Sequence, residues 1–396
     1  MRLLQTAQLE FEEFFETQVP PYAILSHRWD GKELSFQEFV GSNDKSSSIF
    51  NKVRKFCAFA LRMGHLWVWI DTICIDKKSS AELSEALNSM FTWYRKAEIC
   101  YAHLSDVVWT VTDTIMPSSD LTLESWERRE QADHFLRLSL QQFRESAWFT
   151  RGWTLQELLA PLDLLFLDCN WEPICSRQEL HSVISGITGI SSLCLQTPRQ
   201  VEKESVAEKM SWISRRETSR LEDMAYCLLG LFNVNMPLLY GEGKKAFLRL
   251  QIQIISQSDD ESIFAWAGKH LGSVGMLASW PSAFSESGGI TRCHKWYRPP
   301  YTMTNKGLQL YVPAQAEDVA DGSQSQRQTK FALNCMRGDD ESEAPIIELE
   351  LSKLSLRWRR INYQELQWER APPGTQAYGE APSVVQCEPF IVHQSW

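Results

Sequence analysis

The chain has 396 residues, 43% hydrophobic and 23% charged, the balance of a folded protein with two to three domains rather than a disordered or fibrous one. Its 50 acidic residues outnumber 40 Lys and Arg, and the net charge of −10 argues against a general nucleic-acid binder. No apolar run approaches the ~20 residues of a membrane span, and the ten cysteines include no C-x-x-C pair, so no metal site is expected.

The opening stretch MRLLQTAQLEFEEFFE is acidic and amphipathic and lacks the basic start and cleavage site of a signal peptide. With scattered, apolar-flanked cysteines, this predicts a reducing, cytoplasmic setting. Residues 22–29, YAILSHRW, read as a buried strand ending near Ser26. Residues 50–63 carry Phe50, Val53, Phe56, Cys57, Ala60 and Leu61 at helical spacing, with Gly64 as a natural stop. LWVWID at 66–71 is a second strand. Ser79-Ser80-Ala81-Glu82 spells a capping box that opens a helix through Ala97. EICYAHL at 98–104 is a third strand. A polar segment over 105–131, a helix near 132–147 and a short helix from Trp153 to Ala160, stopped by Pro161, lead to a fourth strand at 163–169. Strands alternating with helices predict a mostly parallel sheet flanked by helices. The pattern is helical from about 175 to 265 and turns to strand and turn signals after about 275. Residues 314–329 and 371–383 are polar or rich in Pro and Gly and read as exposed loops. The expected division is 1–175, 176–270 (helical) and 271–396 (β-rich).

Ligands of a parallel α/β sheet bind outside the carboxyl ends of its strands. The first strand brings Ser26, His27, Arg28 and Trp29 to that rim; the second brings Asp71, Cys74 and Asp76; the third brings Ser105 and Asp106. The start of the helix before the fourth strand adds Arg151, Trp153 and Glu157.

Three separated stretches carry a family resemblance: YAILSHRW (22–29), WIDTICIDKKSSAELSEALNSMFTWYRKAEICYAHLSDV (69–107) and RESAWFTRGWTLQELLAP (144–161). In order, they resemble the fungal heterokaryon incompatibility (HET) domain, and the likeness covers most of residues 1–170. EKMSWISRRETSRLEDMAYCLLGLFNVNMPLLYGEGKKAFLRLQ (208–251) and DDESIFAW (259–266) resemble the segment that commonly follows it. The resemblance implies self/non-self recognition and programmed cell death, self-association, and an upstream receptor or allelic partner. Some members head longer receptors with a nucleotide-binding module, but YGEGKK at 240–245 is not a phosphate loop. HET domains are in turn similar to Toll/interleukin-1 receptor (TIR) domains, which implies a TIR-like, flavodoxin-like fold. Enzymatic TIR domains split NAD with a glutamate four residues after a tryptophan, and Trp153 and Glu157 have that spacing.

The chemistry needs one carboxylate. Nicotinamide leaves as a neutral molecule from a cationic ring, so the acid that glycosidases normally supply is dispensable. Glu157 would stabilise the ribosyl cation, and no cofactor is required beyond NAD itself as substrate. Trp153 or Trp29 would stack on a heterocycle, and Arg28 or Arg151 would meet the pyrophosphate. Ser26, His27, Asp71 and Asp76 complete the expected substrate rim. Plainer roles stand beside these. Thr154-Leu155-Gln156-Glu157 also spells a capping box. His27 reads as a structural hydrogen-bond partner, Asp71 and Asp76 as turn formers, and Arg215, Arg216 and Arg220 as a solvated face or as partners for the nearby Glu217 and Glu222. The rival function is a non-enzymatic module that triggers death by oligomerisation.

Overall fold

The structure, a computed structural model, describes residues 1–15, 18–29, 31–42, 44–110, 123–268, 275–293, 299–312, 317–321, 324–338, 343–351, 358–360, 364–365, 367–370 and 383–387. The chain forms two compact units, Met1–Gln200 and Val201–Trp396.

Seven strands build the sheet of the first unit: β1 (Arg2–Gln5), β2 (Phe11–Glu13), β3 (Ala23–His27), β4 (Trp67–Trp69), β5 (Ile99–His103), β6 (Leu164–Leu167) and β7 (Pro173–Ser176). Their order is β2-β1-β4-β3-β5-β6-β7. The four central strands run parallel, while β1 and β7 pair antiparallel at either side. All five residues of β3 are buried, which is why its sequence is a continuous apolar run rather than an alternation. The short outer strands β1, β2 and β7, which flank the parallel core, escape the sequence reading.

The helices are α1 (Phe36–Gly41), α2 (Asn51–Arg62), α3 (Asp71–Cys74), α4 (Ser80–Lys96), α5 (Leu123–Glu145), α6 (Thr154–Leu159), α7 (His181–Thr188) and α8 (Ser192–Gln196). Helix α2 ends where Gly64 takes a φ of +93°, as its composition predicts. Phe59 of α2 meets Tyr101 edge-on with ring centroids 5.0 Å apart, so α2 covers the face that bears Tyr101 and its register partner Leu25. Tyr94 of α4 meets Trp69 at 5.9 Å, so α4 covers the opposite face, where Trp69, Ile24 and Cys100 lie abreast. The capping box at α4 forms by half. Ser79 Oγ accepts the Glu82 N–H, but the Glu82 carboxylate accepts from the Asp76 N–H and from Arg2. Helix α5 begins at Leu123, inside the stretch read as a polar segment.

In chain order the parallel strands lie second, first, third, fourth. The direction of winding therefore reverses between β3 and β5, the place in an open parallel sheet where ligands bind outside the strands' carboxyl ends.

Helix α6 stops before Pro161, and its last carbonyls meet a buried cation. Arg177 is fully buried and donates to the carbonyls of Leu158 (2.6 Å), Pro161 (2.9 Å), Leu162 (2.7 Å) and Leu195 (2.9 Å). Burial pulls its guanidinium down to about 10.

The second unit opens with α9 (Val206–Ile213), α10 (Asp223–Tyr226) and α11 (Lys245–Gln257). Its strands are β8 (Ile290–Arg292), β9 (Thr302–Thr304), β10 (Gly307–Val312), β11 (Glu317–Asp321), β12 (Gln324–Ala332), β13 (Cys335–Arg337), β14 (Glu343–Leu351), β15 (Trp358–Arg360), β16 (Gln367–Arg370) and β17 (Ser383–Cys387). The C-terminal part is β-rich, as expected. Strands β9 to β12 and β14 to β17 form one mostly antiparallel sheet, and β8 pairs with β13. The reading of 314–329 as a loop is wrong: β11 and β12 form a hairpin there, with Asp318 opposite Arg327. Residues 371–382 lie outside the described residues. The basic cluster divides: Arg215 and Arg220 are exposed, while Arg216 is buried and donates to the Trp212 carbonyl. The YGEGKK loop closes on an internal anion: Glu222 Oε1 accepts from the N–H groups of Gly241 (2.8 Å) and Gly243 (2.9 Å).

Arg177→Met should remove all four carbonyl contacts and destabilise the first unit by about 2–4 kcal/mol. Denaturant titration of the full chain measures it, and a loss below ~1 kcal/mol would show that α6 ends without this cation. For the same reason a fragment cut at 175 should fold worse than one cut at 200.

Candidate functional site

Successive side chains of a strand point to opposite faces. Ser26 and His27, the last two residues of β3, therefore start two separate clusters at the strand's carboxyl end.

On the α4 side, Ser26 Oγ donates to Glu157 Oε2 at 2.5 Å and accepts from the Trp148 indole N–H at 2.9 Å. Trp148 sits on the single turn Ala147–Thr150, just ahead of α6. Ser26 is fully buried, and Glu157 is 8% exposed. Trp153, with helical φ and ψ of −61° and −35°, holds the N-cap position without a side-chain cap. The Thr154 hydroxyl turns away to donate to the carbonyls of Trp148 (2.6 Å) and Arg151 (2.9 Å). Burial pushes the Tyr94 hydroxyl and the Cys100 thiol well above their ordinary ranges, and the nearby Glu157 charge adds to both.

On the other side, the His27 imidazole lies between two carboxylates. Its Nδ1 is 3.9 Å from Asp71 Oδ1 and its Nε2 is 3.8 Å from Glu33 Oε2. Neither nitrogen makes a hydrogen bond, so His27 is not the hydrogen-bond partner its position suggested. Burial would raise the Glu33 carboxyl, but His27 and Lys52 together hold it down at about 2. Asp71, the first residue of α3, accepts the Trp29 indole N–H on Oδ2 at 3.0 Å. The Lys77 ammonium lies 3.7 Å above the Trp29 ring and 3.9 Å from Asp71 Oδ2. In register beside His27, His103 of β5 stacks on Trp171 at 4.0 Å.

The remaining residues divide. Arg28 is exposed, and Arg151 and Trp153 are half-buried at the entry to α6. Asp76 is a turn former: its carboxylate accepts from the Lys78 N–H at 2.8 Å and from the Gln37 side chain. Asp106 caps the Ala147–Thr150 turn by accepting from Ser146 Oγ and the Ala147 N–H. The buried Cys74 thiol is pushed up to about 12 by burial, which removes it as a nucleophile. Trp148, Glu33 and Lys77 were missed. Each matters through a partner far along the chain, such as the 122 positions between Trp148 and Ser26, and no local pattern announces that. Among the described residues no three His, Cys, Asp or Glu side chains are placed to hold a metal ion, and no helix is long and apolar enough to cross a membrane.

The heterokaryon incompatibility protein family matches residues 22–157, from the start of β3 to Glu157 itself. Vegetative incompatibility protein HET-E-1 of Podospora anserina is 43% identical over 240 residues, which is 60% of this chain and 16% of that protein. The chain thus spans about a sixth of the length of that relative. No solved structure matches the chain significantly. The family pattern runs through β3, α3, α4 and α6 and ends on the buried carboxylate, so residues 22–157 of this chain carry the likeness to the heterokaryon incompatibility (HET) domain.

Proposed function

We propose that this chain is an incompatibility-type cell-death effector that hydrolyses NAD at the N-glycosidic bond, with Glu157 as its carboxylate. One observation carries the reading. The largely buried Glu157 carboxylate is held by Ser26 at the carboxyl end of β3, beside the strand-order reversal. That is where ligands of open parallel sheets bind. The second-first-third-fourth strand order also supports a TIR-like, flavodoxin-like fold.

Nicotinamide departs with the electron pair of the glycosidic bond and becomes neutral, leaving positive charge on the ribosyl ring. A fixed carboxylate stabilises that charge, and water then attacks the same carbon. Ser26 and Trp148 fix the carboxylate beforehand, so little reorganisation is required at the moment of reaction. Asp71, His27 and Trp29 would take the ribose and the flat ring, with Arg28 or Arg151 on the pyrophosphate and Trp153 at the entrance. Because Glu157 is largely buried, the substrate enters when the Arg151–Trp153 turn opens, and self-association is the proposed trigger. The cell-death role, an allelic partner protein and an upstream receptor belong to the same proposal, in line with the likeness to a vegetative incompatibility protein.

The burial of Glu157 also favours a second reading, in which the Ser26–Glu157–Trp148 chain is core polar structure in an assembly module that kills by oligomerising.

The two readings separate at Glu157→Gln. The variant keeps an acceptor for Ser26, so its melting temperature should stay within a few degrees of wild type and it should still assemble. Loss of the charge should lower nicotinamide release by ~10²–10³. Killing on expression in a fungal or yeast host should vanish with it; a variant that kills as well as wild type overturns the enzymatic reading.

Asp71→Asn, placed on the Glu157→Gln background so that NAD is not consumed, tests the rim. The amide oxygen still accepts the Trp29 indole N–H, so stability should hold while NAD affinity falls about five-fold or more in calorimetry. Unchanged affinity with a lower melting temperature would reduce Asp71 to a turn former.

A further inference from the structure

The cluster around Trp29 contains an interaction whose chemistry specifies a ligand. The indole ring is 43% exposed, and its N–H is tied to Asp71 Oδ2, so the ring is a fixed shelf with a carboxylate at its edge. Donation of that N–H to an anion pushes electron density into the ring and strengthens its attraction for positive charge. The Lys77 ammonium already lies on the shelf, 3.7 Å from the ring centroid.

A second, independent observation lies beneath the shelf. Asp71 Oδ1 faces His27, whose side chain is 1% exposed and has no hydrogen bond at either nitrogen. The two stand 3.9 Å apart, so the imidazole leaves Asp71 incompletely compensated. On the far side of the imidazole, the Lys52 ammonium is paired with Glu33 at 2.5 Å. The charge opposite Asp71 is therefore Lys77, on a long and partly exposed side chain that can exchange with another cation at little cost.

We propose that the Trp29 ring face is a seat for a planar organic cation, which takes over the place held by the Lys77 ammonium. A flat cation gains stacking area that an ammonium lacks, and it keeps the charge balance with Asp71. Under the NAD reading, on which only the identity of the cation rests, it is the nicotinamide ring of the oxidised dinucleotide. That ring is charged when oxidised and neutral when reduced, so the seat selects the oxidised form. It also assigns the heterocycle to Trp29 rather than to Trp153.

The test uses the full chain and two small probes, 1-methylnicotinamide, a pyridinium cation, and nicotinamide, its neutral counterpart. Binding is followed by titration in NMR or calorimetry. The cation should bind at least about five-fold tighter than the neutral ring. Trp29→Leu should abolish that margin, and Trp29→Phe, a milder change should the first fail to fold, should reduce it. Lys77→Ala removes the internal competitor and should tighten the cation by about two- to five-fold. Equal binding of both probes overturns the proposal, as does a cation margin unchanged in both Trp29 variants. Weaker cation binding in Lys77→Ala overturns it too, because Lys77 would then be a ligand contact rather than a stand-in. Nicotinamide release is measured separately. Release without this binding pattern refutes the seat alone, and the binding pattern without release refutes the hydrolysis alone.

Discussion

The hydrogen bond from Ser26 to Glu157 joins residues 131 positions apart and sets where α6 lies against the sheet. A carboxylate this deep needs donors close by, because burial without them is costly. Ser26 supplies one, and Trp148 fixes the Ser26 hydroxyl in turn by donating to it. The opposite end of α6 is held by the Arg177 guanidinium, which gathers four carbonyls from α6, the turn after it and α8. A helix of only six residues has little stability of its own. It is kept by these two polar anchors, one at each end, and by the burial of every one of its side chains.

The carboxyl end of β3 thus divides its chemistry by strand alternation. Ser26 serves Glu157 on one face, while His27 serves Asp71 and Glu33 on the other. Asp71 is the hub of the second cluster, touching the Trp29 N–H, the Lys77 ammonium and the edge of the His27 ring. In this cluster Asp71 lies 3.9 Å from both the Lys77 ammonium and the His27 ring. Replacing one member therefore shifts the others, which makes the rim responsive to a charged ligand.

Much of the first unit was legible because its central strands are buried on both faces, so YAILSH, LWVWI and EICYAH stand out as apolar runs between amphipathic helices. Topology alone led to the expectation that Ser26, His27, Asp71 and Glu157 share one rim; strand alternation instead parts them into two clusters, Ser26 with Glu157 and His27 with Asp71. Local patterns failed where tertiary partners competed with them. TLQE has the letters of a capping box, yet the chain enters the helix one residue earlier, at Trp153, and Thr154 finds two carbonyls to bond instead. SSAE at 79–82 formed half its box because Arg2 and the Asp76 N–H claimed Glu82. The hairpin of β11 and β12 escaped notice because it lacks an apolar alternation, the signal that marks half-buried strands. Asp76 looked like Asp71 in sequence and proved a turn former, since the following backbone N–H lies within reach of its own side chain.

The central claim is that the Ser26 hydroxyl holds Glu157 ready for chemistry at the rim, beyond holding α6 in place. The direct measurement is the rate of nicotinamide release from NAD by purified wild type and by Ser26→Ala, both concentrated enough to self-associate, with unfolding free energy measured in parallel. The account predicts release by wild type and a fall of about ten-fold or more in Ser26→Ala, while the variant stays folded and loses ~1–3 kcal/mol of stability. No release by wild type, or an unchanged rate in Ser26→Ala, would contradict it.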